Sequence, residues 1–340
     1  MRYRNLGSTG LKVSSICLGA MTFDDAGKGF MAGVAADEKT SFAIMDRALE
    51  KGVNFIDTAN VYGNGLSEEI VGRWLKARGK RDSFVVATKF RMIMGDGPNE
   101  RGGSRAHIMQ AVEGSLKRLQ TDWIDLYQMH AQDRSTPIEE TLSALDALVK
   151  QGKVRYVGAS NFTGTRLVDA MWTARERGFE PFRCLQPQYS LVCRGIEMEL
   201  LPACRRHGLG VIAWSPLGRG FLSGKYTRNK PPPAGTRLAA WQDSWKIVDR
   251  ERNWDLLDVV RAVAKEANTT PARVSLAWVL AQPGITSVIA GARTVAQLDD
   301  NLGAEELVLA PAVLEKLEKA SAVEWGYPFD FLTRVEGDWK

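Results

Sequence analysis

The 340-residue chain is short of the residues that most metal and hydrolytic centres need. It has 3 histidines (His107, His130, His207) and 4 cysteines (Cys17, Cys184, Cys193, Cys204), none of them in a C-x-x-C pair. With no H-E-x-x-H and no carboxylate cluster either, a metal site is not expected. The G-x-S-x-G elbow and Walker-type loop are missing too, so those hydrolytic and nucleotide-cleaving chemistries lack their motifs. No run approaches the roughly 20 apolar residues that cross a bilayer. The start, Met1-Arg2-Tyr3-Arg4-Asn5, lacks the apolar stretch of a secretory signal. Cys17 and Cys184 sit in apolar runs, where a free thiol acts as a small buried hydrophobe. A cytoplasmic, reducing location is therefore expected, with no membrane contact.

Charge is also modest. The net +5 comes from 45 Lys and Arg against 40 Asp and Glu, and basic runs extend no further than Arg205-Arg206-His207. Nucleic-acid binding would call for cations gathered on one face, so no such partner is expected. The small excess hints at an anionic small ligand. Hydrophobic residues at 44% and charged residues at 25% describe an ordinary globular protein.

What the chain does have is regular alternation. Short, β-rich, mostly apolar runs at 15–19, 54–58, 84–89, 124–130, 154–160, 183–188, 210–215 and 287–291 are separated by amphipathic helical segments. Unbroken apolar runs are typical of parallel strands covered on both faces. Asp37 and Ser104 are placed to cap helices, Thr136-Pro137-Ile138-Glu139 reads as a capping box with proline at the first helical position, and Thr294 to Gln297 as another box. Eight βα units in series predict a single (β/α)8 barrel over 1–340, with about 250 residues in the barrel and the rest in loops. A doubly wound dinucleotide-binding sheet is disfavoured, because no G-x-G-x-x-G follows the first strand. Residues 3–13 predict a hairpin before the barrel; 218–249 form a long loop insertion and 321–340 a tail.

In such barrels the site lies at the carboxyl ends of the strands. There this chain places Asp57, Lys89, His130, Ser160, Gln186, Ser215 and Gly291, each on a different strand. Each alone has a plain explanation: Asp57 with Lys89 as a structural ion pair, His130 as a core histidine, Tyr62 as a loop aromatic. Together they predict chemistry. Isolated charges on an apolar rim are costly, so Asp57 and Lys89 should pair. A cation near Tyr62 should lower its phenol and suit it to proton donation, with His130 positioning a carbonyl oxygen. Gly291-Ala292-Arg293 runs into a helix N-terminus, whose free N–H groups and dipole attract phosphate.

Over essentially its whole length the chain resembles the aldo-keto reductase superfamily. The residues that carry the likeness are Asn54-Phe55-Ile56-Asp57-Thr58-Ala59 with Tyr62-Gly63, Lys89, and Gln128-Met129-His130. Further along come Val157 to Phe162, Leu185 to Ser190, Ala213 to Gly218, and Ile289 to Arg293. The resemblance implies reversible, NADPH-dependent reduction of an aldehyde or ketone by a tetrad of Asp57, Tyr62, Lys89 and His130, with Tyr62 as proton donor. It also implies that the cofactor is held by Gly19, Met21, Asp57, Ser160, Asn161 and Gln186, by Trp214, Ser215, Pro216, Leu217 and Gly220, and by Gly291, Ala292, Arg293, Gln297 and Asn301. Arg293 would take the 2′-phosphate, because a lysine common in relatives is Gly291 here.

Specificity is expected in the βα loops. Their aromatics and methionines, with Phe23, Phe30, Phe90, Trp241 and Trp245 foremost and the tail's Trp325, Tyr327, Phe329 and Phe331 behind, predict a bulky carbonyl substrate. The alternative is a nucleotide-sensing interaction protein of the same fold with little turnover. A monomer is the default expectation.

Overall fold

A two-stranded hairpin leads into the barrel: β1 (Tyr3–Asn5) pairs antiparallel with β2 (Lys12–Ser14). Eight parallel strands follow. They are β3 (Ile16–Gly19), β4 (Phe55–Asp57), β5 (Val85–Phe90), β6 (Ile124–Met129), β7 (Val154–Ser160), β8 (Cys184–Gln186), β9 (Gly210–Ala213) and β10 (Ile285–Gly291). β10 closes the cylinder by pairing with both β9 and β3. The computed structural model describes residues 1–25 and 31–337. The expected (β/α)8 barrel is thus present, with every strand within two residues of its expected bounds.

Between strands run α1 (Glu38–Glu50), α2 (Leu66–Arg78), α3 (Arg105–Leu119), α4 (Ile138–Lys150), α5 (Gly164–Arg177) and α6 (Leu200–His207). Asp37, Ser104 and Thr294 cap their helices by accepting from the N–H groups of Thr40, His107 and Gln297. The cap expected at Thr136 does not form. Pro137 itself takes the cap position of α4, and the Thr136 hydroxyl is turned to donate to the Asp133 carboxylate, Oδ2, at 2.8 Å.

The 218–249 insertion folds into a 3-10 turn and two short helices, α7 (Arg237–Ala240) and α8 (Gln242–Val248). It packs on α9 (Glu251–Glu266) through Phe221, Tyr226, Trp245 and Trp254. α10 (Pro271–Ala281), α11 (Val295–Leu302) and α12 (Pro311–Ser321) complete the outer layer. The last helix, α13 (Phe329–Glu336), buries no residue, and none of the tail aromatics expected at the substrate rim borders the cavity there. No helix among the described residues is long and apolar enough to cross a membrane.

Strand alternation sorts the core into two layers. Leu18, Ile56, Val86, Tyr127 and Leu185 face outward to the helices, whereas Cys17, Phe55, Ala87, Leu126 and Cys184 face the barrel axis. Leu6 and Val13 of the hairpin join the inner set and seal its amino end. Two residues further along the same inward faces the side chains become polar: Asp57 after Phe55, Lys89 after Ala87, Gln128 after Leu126, and Gln186 after Cys184.

Candidate active site

That polar layer is one hydrogen-bonded unit. Lys89 and Asp57, with side chains 0% and 3% exposed, form an ion pair. Lys89 Nζ also donates to the Thr58 carbonyl at 2.8 Å and to the Tyr62 hydroxyl at 3.4 Å. The other Asp57 oxygen accepts from Gln186 Nε2 at 2.8 Å and Gln128 Nε2 at 3.1 Å. Burial works against the Lys89 ammonium, but Asp57 and Tyr62 outweigh it, so Lys89 stays above its ordinary value and fully charged.

Tyr62 reaches this group from a tight turn, Tyr62–Gly65, in which Gly63, Asn64 and Gly65 all have positive φ. A Cβ on Gly63 would stand 2.6 Å from Asp24 Oδ1 at a positive φ, so any other residue there is strained. The Tyr62 ring meets His130 edge-on, with centroids 5.7 Å apart. Its phenol does not move in the expected direction. Burial raises it, Lys89 pulls the other way, and the net is upward, so the hydroxyl keeps its proton at neutral pH. His130 is pushed down to about 3 by burial, then by Lys89 and Arg91, so its imidazole is neutral.

Above the polar layer opens a cavity of about 980 Å³. Its walls include Gly19, Met21, Asp57, Tyr62, His130, Ser160, Asn161 and Gln186. They continue through Trp214, Ser215, Pro216, Leu217 and Gly220 to Gly291, Ala292, Arg293, Gln297 and Asn301. Every residue expected at the cofactor therefore borders one space, while Lys89 lies buried beneath it. Asn161 links the parts: Nδ2 donates to the His130 carbonyl at 2.8 Å and to Ser160 Oγ at 2.9 Å, and Oδ1 accepts from Trp214 Nε1 at 3.1 Å. Asn161 and Ser215 are both held at positive φ, strain of the kind that gathers at working sites.

The expected substrate residues divide. Trp241 lines the cavity, as does Met92 in the loop after β5. Phe23 and Phe90 do not: both are fully buried, and Phe90 packs tilted against Tyr127 with centroids 4.9 Å apart. Trp245 is turned away into the cluster with Tyr226 and Trp254. In each case packing a loop onto the barrel buries more ring than lining a pocket would. Phe30 lies outside the described residues.

Three cations that the pattern of the sequence did not single out also line the cavity: Arg219, Lys225 and Arg237, the last near enough to Tyr62 to act on its phenol. Arg219 Nη1 donates to Ser244 Oγ at 2.7 Å, and Arg293 Nη1 to the Gly235 carbonyl at 2.8 Å. Among the described residues none of these four cations forms an ion pair. Lys225 and Arg237 are held below their ordinary values by partial desolvation first and then by Arg293. The carboxylates on this wall, Asp243 and Asp300, pair with Lys246 and Arg273 instead, so the four cations leave it net positive and suited to an anion. Those positions lie in the aperiodic insertion, so no strand or helix pattern pointed to them. The helical capping at Thr294 is doubled here: Gln297 Oε1 accepts from Arg293 N at 2.9 Å, which positions the backbone just before α11.

Comparison with known proteins agrees with this geometry. The model of the aldo/keto reductase family matches residues 15–322. An uncharacterized oxidoreductase of Bacillus subtilis (strain 168) is 46% identical over 93% of this chain and 95% of its own length. A probable voltage-gated potassium channel subunit beta of Arabidopsis thaliana is 36% identical over 94% of this chain and 96% of its own. A norsolorinic acid reductase of Aspergillus flavus is 34% identical over 96% and 82%. With the barrel, the polar layer and a match over nearly all its length, the chain belongs to the aldo/keto reductase family.

Proposed function

We propose that the protein is an NADPH-dependent carbonyl reductase in which Tyr62 donates the proton. The observation that carries this is the junction of a neutral tyrosine hydroxyl, a buried Lys89–Asp57 pair and a neutral His130 in a cavity whose wall also carries Arg219, Lys225, Arg237 and Arg293. The lining fits a phosphorylated dinucleotide: Arg219, Lys225, Arg237 and Arg293 for its phosphates, Ser160, Asn161 and Gln186 for a carboxamide, and Trp214 for an aromatic ring. Bound there, reduced nicotinamide supplies the hydride.

The chain's own residues do the rest. A carbonyl oxygen between Tyr62 and His130 accepts hydrogen bonds from both, and negative charge growing on it is met by these fixed donors. As that charge develops, Tyr62 releases its proton, and the Lys89 cation 3.4 Å from its hydroxyl stabilises the phenolate left behind. Asp57 holds Lys89 in place and neutralises its charge before the reaction. Trp241 and Met92 border the substrate end and favour an apolar carbonyl compound.

The test is oxidation of NADPH, with NADH in parallel, across a panel of aldehydes and ketones. Wild type is expected to turn over and to favour NADPH, and Tyr62→Phe to lose at least about 100-fold in kcat while binding NADPH as tightly. Retained turnover in Tyr62→Phe would remove Tyr62 from the role, and absence of NADPH binding would end the proposal. The likeness to potassium channel beta subunits favours one other reading, a nucleotide-sensing interaction protein. Tight NADPH binding with no turnover on any carbonyl would support that instead.

A further inference from the structure

Gln128 is among the residues that carry the family likeness but was given no site role, yet it is fully buried at the centre of the polar layer. A buried amide is costly unless its donors and acceptor are used. Here Nε2 donates to Asp57 Oδ2, and Oε1 accepts from Gln186 Nε2 at 3.2 Å and from Cys184 Sγ at 3.9 Å. Asp57, Gln128 and Gln186 thus close a three-membered ring.

The ring has a directional consequence. A carboxylate only accepts, so the side of Gln186 facing Asp57 must be its NH₂ group. Both hydrogens of that group are taken, one by Asp57 at 2.8 Å and one by Gln128. Only Gln186 Oε1 is left for the cavity that Gln186 borders.

We infer that Gln128 is a positioning residue for the reaction centre: it fixes the Asp57 carboxylate under Lys89 and turns the Gln186 amide so that its carbonyl faces the cofactor. The site thereby presents an acceptor, which selects a ligand amide by its N–H. This rests on the function proposed above. Gln128 touches neither Tyr62 nor the cavity and acts only through its two neighbours.

Two variants separate positioning from packing. Gln128→Met has similar length and no hydrogen-bonding group. Gln128→Glu can imitate the amide only while protonated, when its hydroxyl donates to Asp57 and its carbonyl accepts from Gln186. Burial and the Asp57 charge should lift that carboxyl above the ordinary value of about 4.3. With NADPH and 4-nitrobenzaldehyde as probes, Gln128→Met should lose about 10- to 100-fold in kcat at every pH, the loss of one hydrogen bond to a charged group. Its Kd for NADPH, followed by tryptophan fluorescence, should weaken as well.

Gln128→Glu should match wild type at acid pH and fall to the Gln128→Met level as pH rises. Its melting temperature without cofactor should drop through the same ionisation, because a proton held more tightly by the folded state stabilises it only below that pH. Wild-type kcat and Kd in Gln128→Met would overturn the inference. So would a Gln128→Glu protein whose turnover and melting both track wild type across the range. A wild type that neither binds nor oxidises NADPH would refute the proposed function, while the melting series would still decide whether the ring exists.

Discussion

His130 is held neutral by three influences that act together: burial first, then the cations Lys89 and Arg91. Its ordinary value is 6.5 and its value in the fold about 3. Between those two the unfolded chain binds a proton that the folded chain refuses, so stability falls as pH is lowered through the interval. His130→Asn removes that linkage. The stability advantage of wild type over His130→Asn should therefore shrink steadily from about pH 6.5 to about pH 3, measured by thermal melting. Parallel curves would refute it, since Asp133, also held low by its hydrogen bonds, contributes equally to both proteins. Tyr62 marks what sequence could not supply at this scale. The neighbouring cation was legible from Lys89 at a strand end, but desolvation, the larger influence, depends on how the turn at Gly63 and Gly65 seats the ring.

At the scale of elements, periodicity revealed strands and caps well, because one buried face repeats at a fixed spacing along each of them. Asp57, Lys89 and Gln186 were found because each ends an apolar run. Gln128 has the same inward orientation but is followed by Met129, so nothing broke the apolar pattern to mark it. Aromatic residues were misplaced for a different reason. A ring in a loop can line a pocket or clamp the loop down, and Phe23, Phe90 and Trp245 do the second. The hairpin offers a test confined to one element. Gly7 sits at φ +58°, where a Cβ would come within 2.5 Å of backbone atoms of Gly208 and Gly210 that cannot yield. Gly7→Ala should cost about 2–5 kcal/mol of stability and leave kcat unchanged, since the hairpin seals the end of the barrel opposite the site. A drop in kcat at a temperature where the variant is fully folded would contradict that division of labour.

For the whole molecule, stability and chemistry are assigned to opposite ends of one cylinder, and the C-terminal region divides in the same manner. α12 is fastened to the barrel wall by Arg194, which pairs with Glu197 at 2.6 Å and Glu318 at 2.5 Å and donates to Ser321 Oγ at 2.7 Å. Trp278 Nε1 adds a bond to Glu318 at 3.0 Å, and Arg252 closes the end of the helix on the carbonyls of Ser321 and Ala322. Beyond that point no described residue is buried or borders the cavity; Tyr327 is 85% exposed and Phe331 49%. A helix with no buried face contributes little to folding. Ending the chain after Val323 should therefore move Tm by less than about 3 °C and leave KM for 4-nitrobenzaldehyde and Kd for NADPH as they are. The outcome is informative in both directions. An unchanged KM confines substrate contacts to the βα loops, with Met92 and Trp241 foremost. A KM raised with Tm intact would mean that Trp325 or Phe329 swings onto the cavity mouth during turnover, and the tail would then join the specificity determinants.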